Sequence, residues 1–201
     1  MTDSLLAPND GRHARRDRNR TAVVDALLEL YGEGELEPGA AMVSLRAGLS
    51  PRSLFRYFQD SEDLTRAAIR EQLARALPLV PVPARPTDSL EHRVNQLVAA
   101  RLRLFAAVAP AARVARLRQS RSPALAAQLT ETRAFLRRQL TDLFAPELAR
   151  LGRSVSRPVL AAVDVLCSFE SFELLRSDQG LDEAATAEAM VSSLHRLLDA
   201  T

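Results

Sequence analysis

Apolar side chains recur every three to four positions through most of this 201-residue chain. That spacing places them on one face of an α-helix, whereas a strand would require an alternation with a period of two. Ala and Leu dominate, Trp is absent and only seven residues are Gly, and this composition also favours helix over sheet. With no strand pattern and no internal repeat, the sequence predicts an all-α fold.

Prolines and glycines divide this pattern into separate helices, because neither residue is favoured inside one. Four prolines within residues 78–86 predict a connector at 78–87, and Pro110 is expected to break a long helix. The predicted helices span about 17–31, 40–47, 50–58, 61–77, 88–109, 111–119, 122–144, 157–176 and 182–199. We expect a disordered tail at residues 1–11, a three-helix head at 12–66 and a larger helical-bundle body at 67–201.

The turn Ala47-Gly48-Leu49-Ser50 joins two of the short helices and is typical of a helix-turn-helix. Gly48 allows the left-handed backbone of such a turn. Ser50 is expected to cap the second helix, with Pro51 at its first position. Leu49, Leu54 and Phe58 are expected to point inward. The positions predicted to face outward, where they could meet phosphates and major-groove base edges, are Pro51, Arg52, Ser53, Phe55, Arg56 and Tyr57.

The charge pattern agrees with a nucleic-acid partner. No acidic residue lies between Pro38 and Gln59, and all 27 basic residues of the chain are arginines. Each arginine is a planar fork that can pair with a phosphate or a guanine through two hydrogen bonds. Five more arginines between Arg12 and Arg20 are predicted to form an arm before the first helix, placed to reach a minor groove or the DNA backbone.

The segment 47–58, followed by Glu62-Asp63-Leu64, resembles the DNA-binding signature of the TetR/AcrR family of repressors. The resemblance covers about residues 16–66, and the stretch from Ser168 to Leu181 resembles the last two helices of many members. It implies a double-stranded operator as partner, with DNA contacts at Pro51, Arg52, Ser53, Phe55 and Tyr57 and a backbone contact at Arg46. Phe55 stands where the family usually has tyrosine, and Ser61 where lysine is common.

The resemblance further implies a homodimer through the helices predicted at about 157–176 and 182–199, and a body that binds a small-molecule effector of unknown identity. Seven arginines and no acid lie between Glu91 and Glu131. A solvated face is one interpretation; the other places Arg101 on the apolar side of its helix, where it would meet an anionic effector. The residues that could line this pocket, or simply form core, are Phe105, Phe135, Cys167, Phe169 and Phe172.

Other classes of function find no support in the sequence. The three histidines lack ligand spacing, so we expect no metal site, and no cofactor or enzymatic motif is found. Cys167 is expected to be an inert buried thiol. With neither a signal peptide nor a membrane span, a cytoplasmic location is expected. A regulator without an effector and a helical dimeric protein-interaction module remain as alternatives.

Overall fold

The protein is described by a computed structural model that places the backbone of residues 10–199 and the side chains of residues 13–199. Its helices are α1 (Asp10–Gly32), α2 (Ala40–Arg46), α3 (Pro51–Leu54), α4 (Ser61–Ala76), α5 (Leu90–Arg118), α6 (Pro123–Leu143), α7 (Ala145–Arg150), α8 (Gly152–Leu166), α9 (Phe169–Glu173) and α10 (Glu183–Leu198). A 3-10 turn at Leu77–Leu79 follows α4, and a π-helical turn at Leu174–Asp178 follows α9. Within residues 10–199 there is no strand, which confirms the predicted all-α class.

Contacts divide the chain into two compact units. The first, called the head here, extends to Arg75 and includes Ala109–Ser120; the second, called the body, contains Ala76–Val108 and the chain from Arg121 onward. The sequence placed this division after residue 66. The structure instead groups nearly all of α4, and the last turns of α5, with the head.

The core of the head fixes where α3 lies. Its buried members come from α1 to α5 and include Val23, Leu27, Leu30, Tyr31, Val43, Leu54, Phe58, Leu64, Ala68 and Val114. Each large apolar side chain removed from water contributes about 1.5–3 kcal/mol. Because Leu54 and Phe58 belong to this core, the short α3 has a fixed orientation despite having only four residues.

The first helix begins at Asp10, earlier than the predicted start at Asp17. The predicted arm is therefore wrong for the described residues, since the arginines from Arg15 to Arg20 are part of α1. The prediction relied on apolar periodicity, which is missing here because this part of the helix is solvated on most sides. Of the predicted tail at 1–11, residues 1–9 lie outside the described residues.

The predicted break at Pro110 is also wrong, because α5 runs without interruption from Leu90 to Arg118. Proline inside a helix costs about 3 kcal/mol, since it cannot donate a hydrogen bond to the residue four positions earlier. On either side of it, Val108, Ala109, Ala111 and Val114 are all buried. We attribute the continuity of the helix to this burial, which offsets the cost.

The helix predicted at 157–176 is divided in the structure. The first part, α8, begins at Gly152, which has a φ of 68° and precedes the predicted start, and it ends at Leu166. Ser168 then ends the helical run and caps α9, because its side chain accepts a hydrogen bond from the backbone nitrogen of Ser171. No helix in the described part of the chain is both long and apolar enough to cross a bilayer.

Candidate functional site

The predicted helix-turn-helix is present, with a second helix shorter than expected. Gly48 has a φ of 67°, the left-handed conformation that the turn was predicted to need. The Ser50 side chain accepts a hydrogen bond from the backbone nitrogen of Ser53 at 3.2 Å, and Pro51 occupies the first helical position. Helical geometry ends at Leu54 rather than near Phe58, and residues 55–57 form a turn.

The two faces of this segment are those that the sequence predicted. Leu54 and Phe58 are 1% and 2% exposed, and Leu49 is partly buried against the same core. The residues of the opposite face are exposed at Pro51, Arg52, Phe55 and Arg56 and half-buried at Ser53 and Tyr57. The structure therefore presents one continuous basic and aromatic surface, called the α3 surface below, on a rigid support.

Tyr57 is held in place by neighbouring polar groups that the sequence reasoning did not identify. Its hydroxyl accepts a hydrogen bond from Asn19 Nδ2 at 2.9 Å and one from Arg56 Nη2 at 3.4 Å. The bond from Asn19 lowers the pKa of Tyr57, and the hydrogen bond and charge of Arg56 and the charge of Arg15 act in the same direction. Tyr57 is thus held in a positive electrostatic environment, and because its oxygen accepts both bonds, its O–H can still donate. The separation of Asn19 and Tyr57 by 38 residues hid this contact from local sequence patterns.

Arg46 pairs with two carboxylates at the end of α1, Glu29 in its last turn and Glu33 just beyond it. Its Nη1 and Nη2 donate to Glu33 Oε1 and Oε2 at 2.7 and 2.8 Å, and Glu29 lies 3.5 Å away. These hydrogen bonds lower the pKa of Glu33 and raise that of Arg46. Leu45, which precedes Arg46 in the sequence, is the most exposed large apolar residue described, at 82%. Its exposure was not predicted from the sequence.

Exposed arginines continue along α1. Arg15, Arg16, Arg18 and Arg20 are all exposed, and the guanidinium carbon of Arg20 lies 5.0 Å from the ring centroid of Phe58. This cation–π contact connects α1 to the segment that follows α3. The head therefore carries positive charge on both α1 and the α3 surface.

In the body, four of the six predicted pocket residues are apolar and buried. Phe105, Phe169 and Phe172 form a cluster with ring centroids 5.7–5.9 Å apart. Cys167 is buried, and burial raises the pKa of its thiol to about 12. Phe135 does not join them, since it is 43% exposed on α6 and the Arg138 guanidinium lies over its ring at 5.9 Å. Phe135 is therefore not part of this buried cluster, since helical spacing alone did not show which face of α6 is covered; its role in an effector pocket stays a prediction.

Two arginines of α5 are buried, so a solvated face does not describe the whole acid-free stretch. Arg101 is 0% exposed. Arg93 is 3% exposed and forms a bidentate ion pair with Glu147 at 2.6 and 2.7 Å. Burial raises the pKa of Glu147, but the hydrogen bonds from Arg93 and its own backbone outweigh that effect and the pKa lies below its ordinary value.

No cluster of three potential metal ligands occurs among residues whose side chains are described.

The comparisons with known proteins show where this fold occurs. Neither a protein-family model nor a curated protein matches the sequence. A transcriptional regulator from Rhodococcus sp. Rha1 has a similar structure, with a TM-score of 0.64 and 17% identity over 92% of this chain and 96% of that one. A protein assigned to the TetR family of transcriptional regulators, from Rhodococcus sp., gives a TM-score of 0.65 and 18% identity over 90% and 98% of the two chains.

A third similar structure is that of the multidrug binding protein EbrR complexed with imidazole. Its TM-score is 0.56, with 22% identity over 90% of this chain and 92% of that one. In each case the match includes nearly the whole of both proteins, so it extends beyond the helix-turn-helix. The chain therefore has the all-helical fold of the TetR-family transcriptional regulators.

Proposed function

We propose that the protein is a transcription regulator that binds double-stranded DNA by inserting α3 into the major groove. The observation that carries this proposal is the α3 surface: a capped helix, fixed by Leu54 and Phe58, whose opposite face is basic, aromatic and free of acids. Groove-binding helices need this combination, because the core sets the angle of entry while the outer face reads bases and phosphates.

The chemistry of the side chains suggests a role for each. Arg52, exposed on the first turn of α3, is suited to a bidentate contact with guanine. Phe55, with 49% exposure, offers apolar contact to a thymine methyl group. Ser50, Ser53, Arg56 and Tyr57 supply phosphate ligands. Both Nη atoms of Arg46 already donate to Glu33. Arg46 would therefore contact the DNA backbone only by sharing its guanidinium between Glu33 and a phosphate.

We further propose a homodimer formed through α8 and α10. Exposed apolar positions on α8 fall at Pro158, Ala161 and Val165, which have the spacing of one helix face. Val165 is 67% exposed, although α8 packs on α10 within its own chain. A second copy would cover this face, and two-fold symmetry would present two α3 surfaces to the half-sites of a palindromic operator.

We propose that the protein is a repressor and that binding of a small molecule releases it from its operator. Support comes from the fold, which is also that of a multidrug binding protein, and from the buried polar and aromatic groups of the body. Release would require that the effector bind the DNA-free conformation more tightly than the DNA-bound one, since only such a difference shifts the equilibrium.

The proposal is tested by selecting binding sites from random duplex DNA with the purified protein. We expect a palindromic sequence, bound about 5- to 150-fold more weakly by Arg52→Ala, which corresponds to the 1–3 kcal/mol of a bidentate base contact. Arg103→Ala is the matched control, because Arg103 is exposed on α5 and should leave affinity unchanged. Failure to enrich any sequence would favour a protein-interaction module, and equal losses in both variants would exclude a specific role for α3.

A further inference from the structure

Arg101 is the largest fully buried side chain in the described part of the protein, with 0% exposure. Among the described residues its hydrogen bonds go only to neutral acceptors: Nη1 donates to Gln139 Oε1 at 3.1 Å and Nη2 to the backbone oxygen of Leu136 at 3.2 Å. The Nε atom is buried and has no acceptor among the described residues. A guanidinium with five N–H donors is therefore only partly satisfied.

No described carboxylate lies within ion-pair distance of Arg101. The nearby Asp164 carboxylate interacts with Arg101 electrostatically, but its ion pair is with Arg137, at 3.8 Å from Nε. The thiol of Cys167 is also close, and burial raises its pKa to about 12, so it is uncharged at neutral pH. A buried charge without a counter-ion is unfavourable for folding, and the same low dielectric makes its attraction for an entering anion strong.

Arg93 shows what a structural arginine looks like in this same helix. It lies two turns earlier on α5 and is 3% exposed. Both ends of its fork meet Glu147, and further bonds go to the backbone oxygens of Leu143 and Asp88. Burial of an arginine in this protein is thus compatible with full pairing. Of the two buried arginines described on α5, Arg101 is the one without an ion pair.

The surroundings of Arg101 favour an aromatic ligand. Phe105 follows it by four positions, so both side chains leave α5 on the same face. Phe105 contacts Phe169 edge to face, with centroids 5.7 Å apart, and Phe172 at the same distance. Rings add to such clusters by edge-to-face or offset contacts.

We propose that Arg101 binds the carboxylate of a small aromatic acid whose ring packs against Phe105 and its two partners. The planar carboxylate would pair with the guanidinium edge that carries the unpartnered Nε–H, in the two-point geometry favoured by arginine. This inference rests on the proposed function only in treating the acid as the effector. Gln139 would either keep its hydrogen bond with Arg101 or lose it to the ligand. Its Nε2 also donates to the Val80 backbone oxygen, in the connector before α5.

A comparison of two variants tests the role of Arg101 without any ligand. Arg93→Met removes both charge-assisted hydrogen bonds of the buried Glu147 and leaves it only the exposed Arg150, whose Nη2 lies 3.6 Å away, so we expect its Tm to fall by roughly 10 °C. Arg101→Met removes a charge that has no counter-ion, so its Tm should equal or exceed that of the wild type. An equal loss of Tm in both variants would show that Arg101 is structural and would overturn the proposal.

The ligand class is tested by calorimetry and thermal shift on the full chain with benzoate and phenylacetate, against the neutral benzamide and phenylacetamide. We expect the acids to bind and raise Tm, the amides to do neither, and Arg101→Met to weaken acid binding at least tenfold. Absence of acid binding, or equal binding by the variant, would overturn the inference. Acid binding by a protein that selects no DNA would instead overturn the proposed function and leave this site in place.

Discussion

The two tyrosines of the chain occupy contrasting environments in the head. The hydroxyl of Tyr31 is buried and 3.3 Å from Thr65 Oγ1, and burial raises its pKa. That of Tyr57 lies at the α3 surface between Asn19 and Arg56, and its pKa is lowered. The first therefore has a structural role, whereas the second lies on the surface that we propose to bind DNA.

Tyr57→Phe should weaken operator binding by about three- to tenfold, because it removes one hydrogen bond worth roughly 0.5–1.5 kcal/mol. Its free energy of unfolding should change little. Tyr31→Phe, the matched control, should lower stability and leave affinity unchanged per folded molecule. Fluorescence anisotropy with labelled operator and urea unfolding would measure the two effects; a stronger loss of affinity in the Tyr31 variant would contradict the assignment.

Which individual residues could be predicted depended on the range of their interactions. Ser50, Pro51 and Gly48 act through neighbouring backbone, so their roles follow from local sequence and are confirmed by the cap and by the positive φ. The pairing of Arg46 with Glu33, by contrast, joins the end of α2 to the residue that follows α1. The exposure of Phe135 likewise depends on which elements cover α6, and no local pattern contains that information.

At the scale of elements, Ser50 on α3 and Ser168 on α9 share a capping arrangement that Ser89 also forms at the start of α5. In each, the serine side chain accepts from the backbone nitrogen three residues later at 3.2 Å. Replacement of Ser50 or Ser168 by alanine should therefore lower stability by about 1 kcal/mol. Only Ser50→Ala should also weaken DNA binding, since only α3 belongs to the proposed interface. Similar affinity losses in both variants would indicate a general effect of unfolding.

The link between α5 and α7 predicts a pH-dependent stability. The pKa of Glu147 lies below its ordinary 4.5, because its hydrogen bonds with Arg93 outweigh the effect of burial. A carboxyl whose pKa is lower in the folded state stabilises the fold fully above the unfolded value. That contribution is lost as the pH falls from 4.5 through the folded pKa.

Glu147→Gln should accordingly cost about 3–5 kcal/mol at pH 7, and the difference from wild type should shrink below pH 4.5. Asp142→Asn is a suitable control, because Asp142 is exposed on the nearby α6. Urea unfolding between pH 3 and pH 7 measures the effect. A difference that stays constant across this range would show that the pair does not titrate as described.

Helix boundaries could be predicted where a local residue ends the helix. They could not be predicted where tertiary packing determines whether the helix continues. Gly48 and the prolines of the 78–87 connector ended helices as expected. Pro110 did not, because the residues around it are buried strongly enough to keep α5 continuous. The start of α1 was missed for the opposite reason, since a solvated helix leaves no apolar period to detect.

At the scale of the whole molecule, the exposed face of α8 should determine the oligomeric state. Val165→Asp places a charge at a position that is 67% exposed in one chain and buried in the proposed dimer, so it should yield a monomer. Leu117→Asp alters an apolar residue of similar exposure, 53%, on α5 and should leave the dimer intact. Sedimentation analysis distinguishes the two; a wild-type monomer at micromolar concentration would exclude this interface.

The distribution of charge leads to a prediction for DNA binding by the whole protein. Its formal net charge is only +2, so a general attraction to DNA would be weak, yet Arg15, Arg16, Arg18, Arg52 and Arg56 are all exposed on the head. Each arginine that pairs with a phosphate releases condensed counterions, so a dimer making about 6–10 such contacts should lose roughly 10³–10⁵ in affinity between 50 and 200 mM salt.

Changing Arg16 and Arg18 to alanine should lower the slope of log K against log salt for every DNA sequence, because phosphate contacts carry no sequence information. Arg52→Ala should instead change the preferred sequence more than the slope. A titration with little salt dependence would show that the basic surface of the head does not contact the DNA backbone.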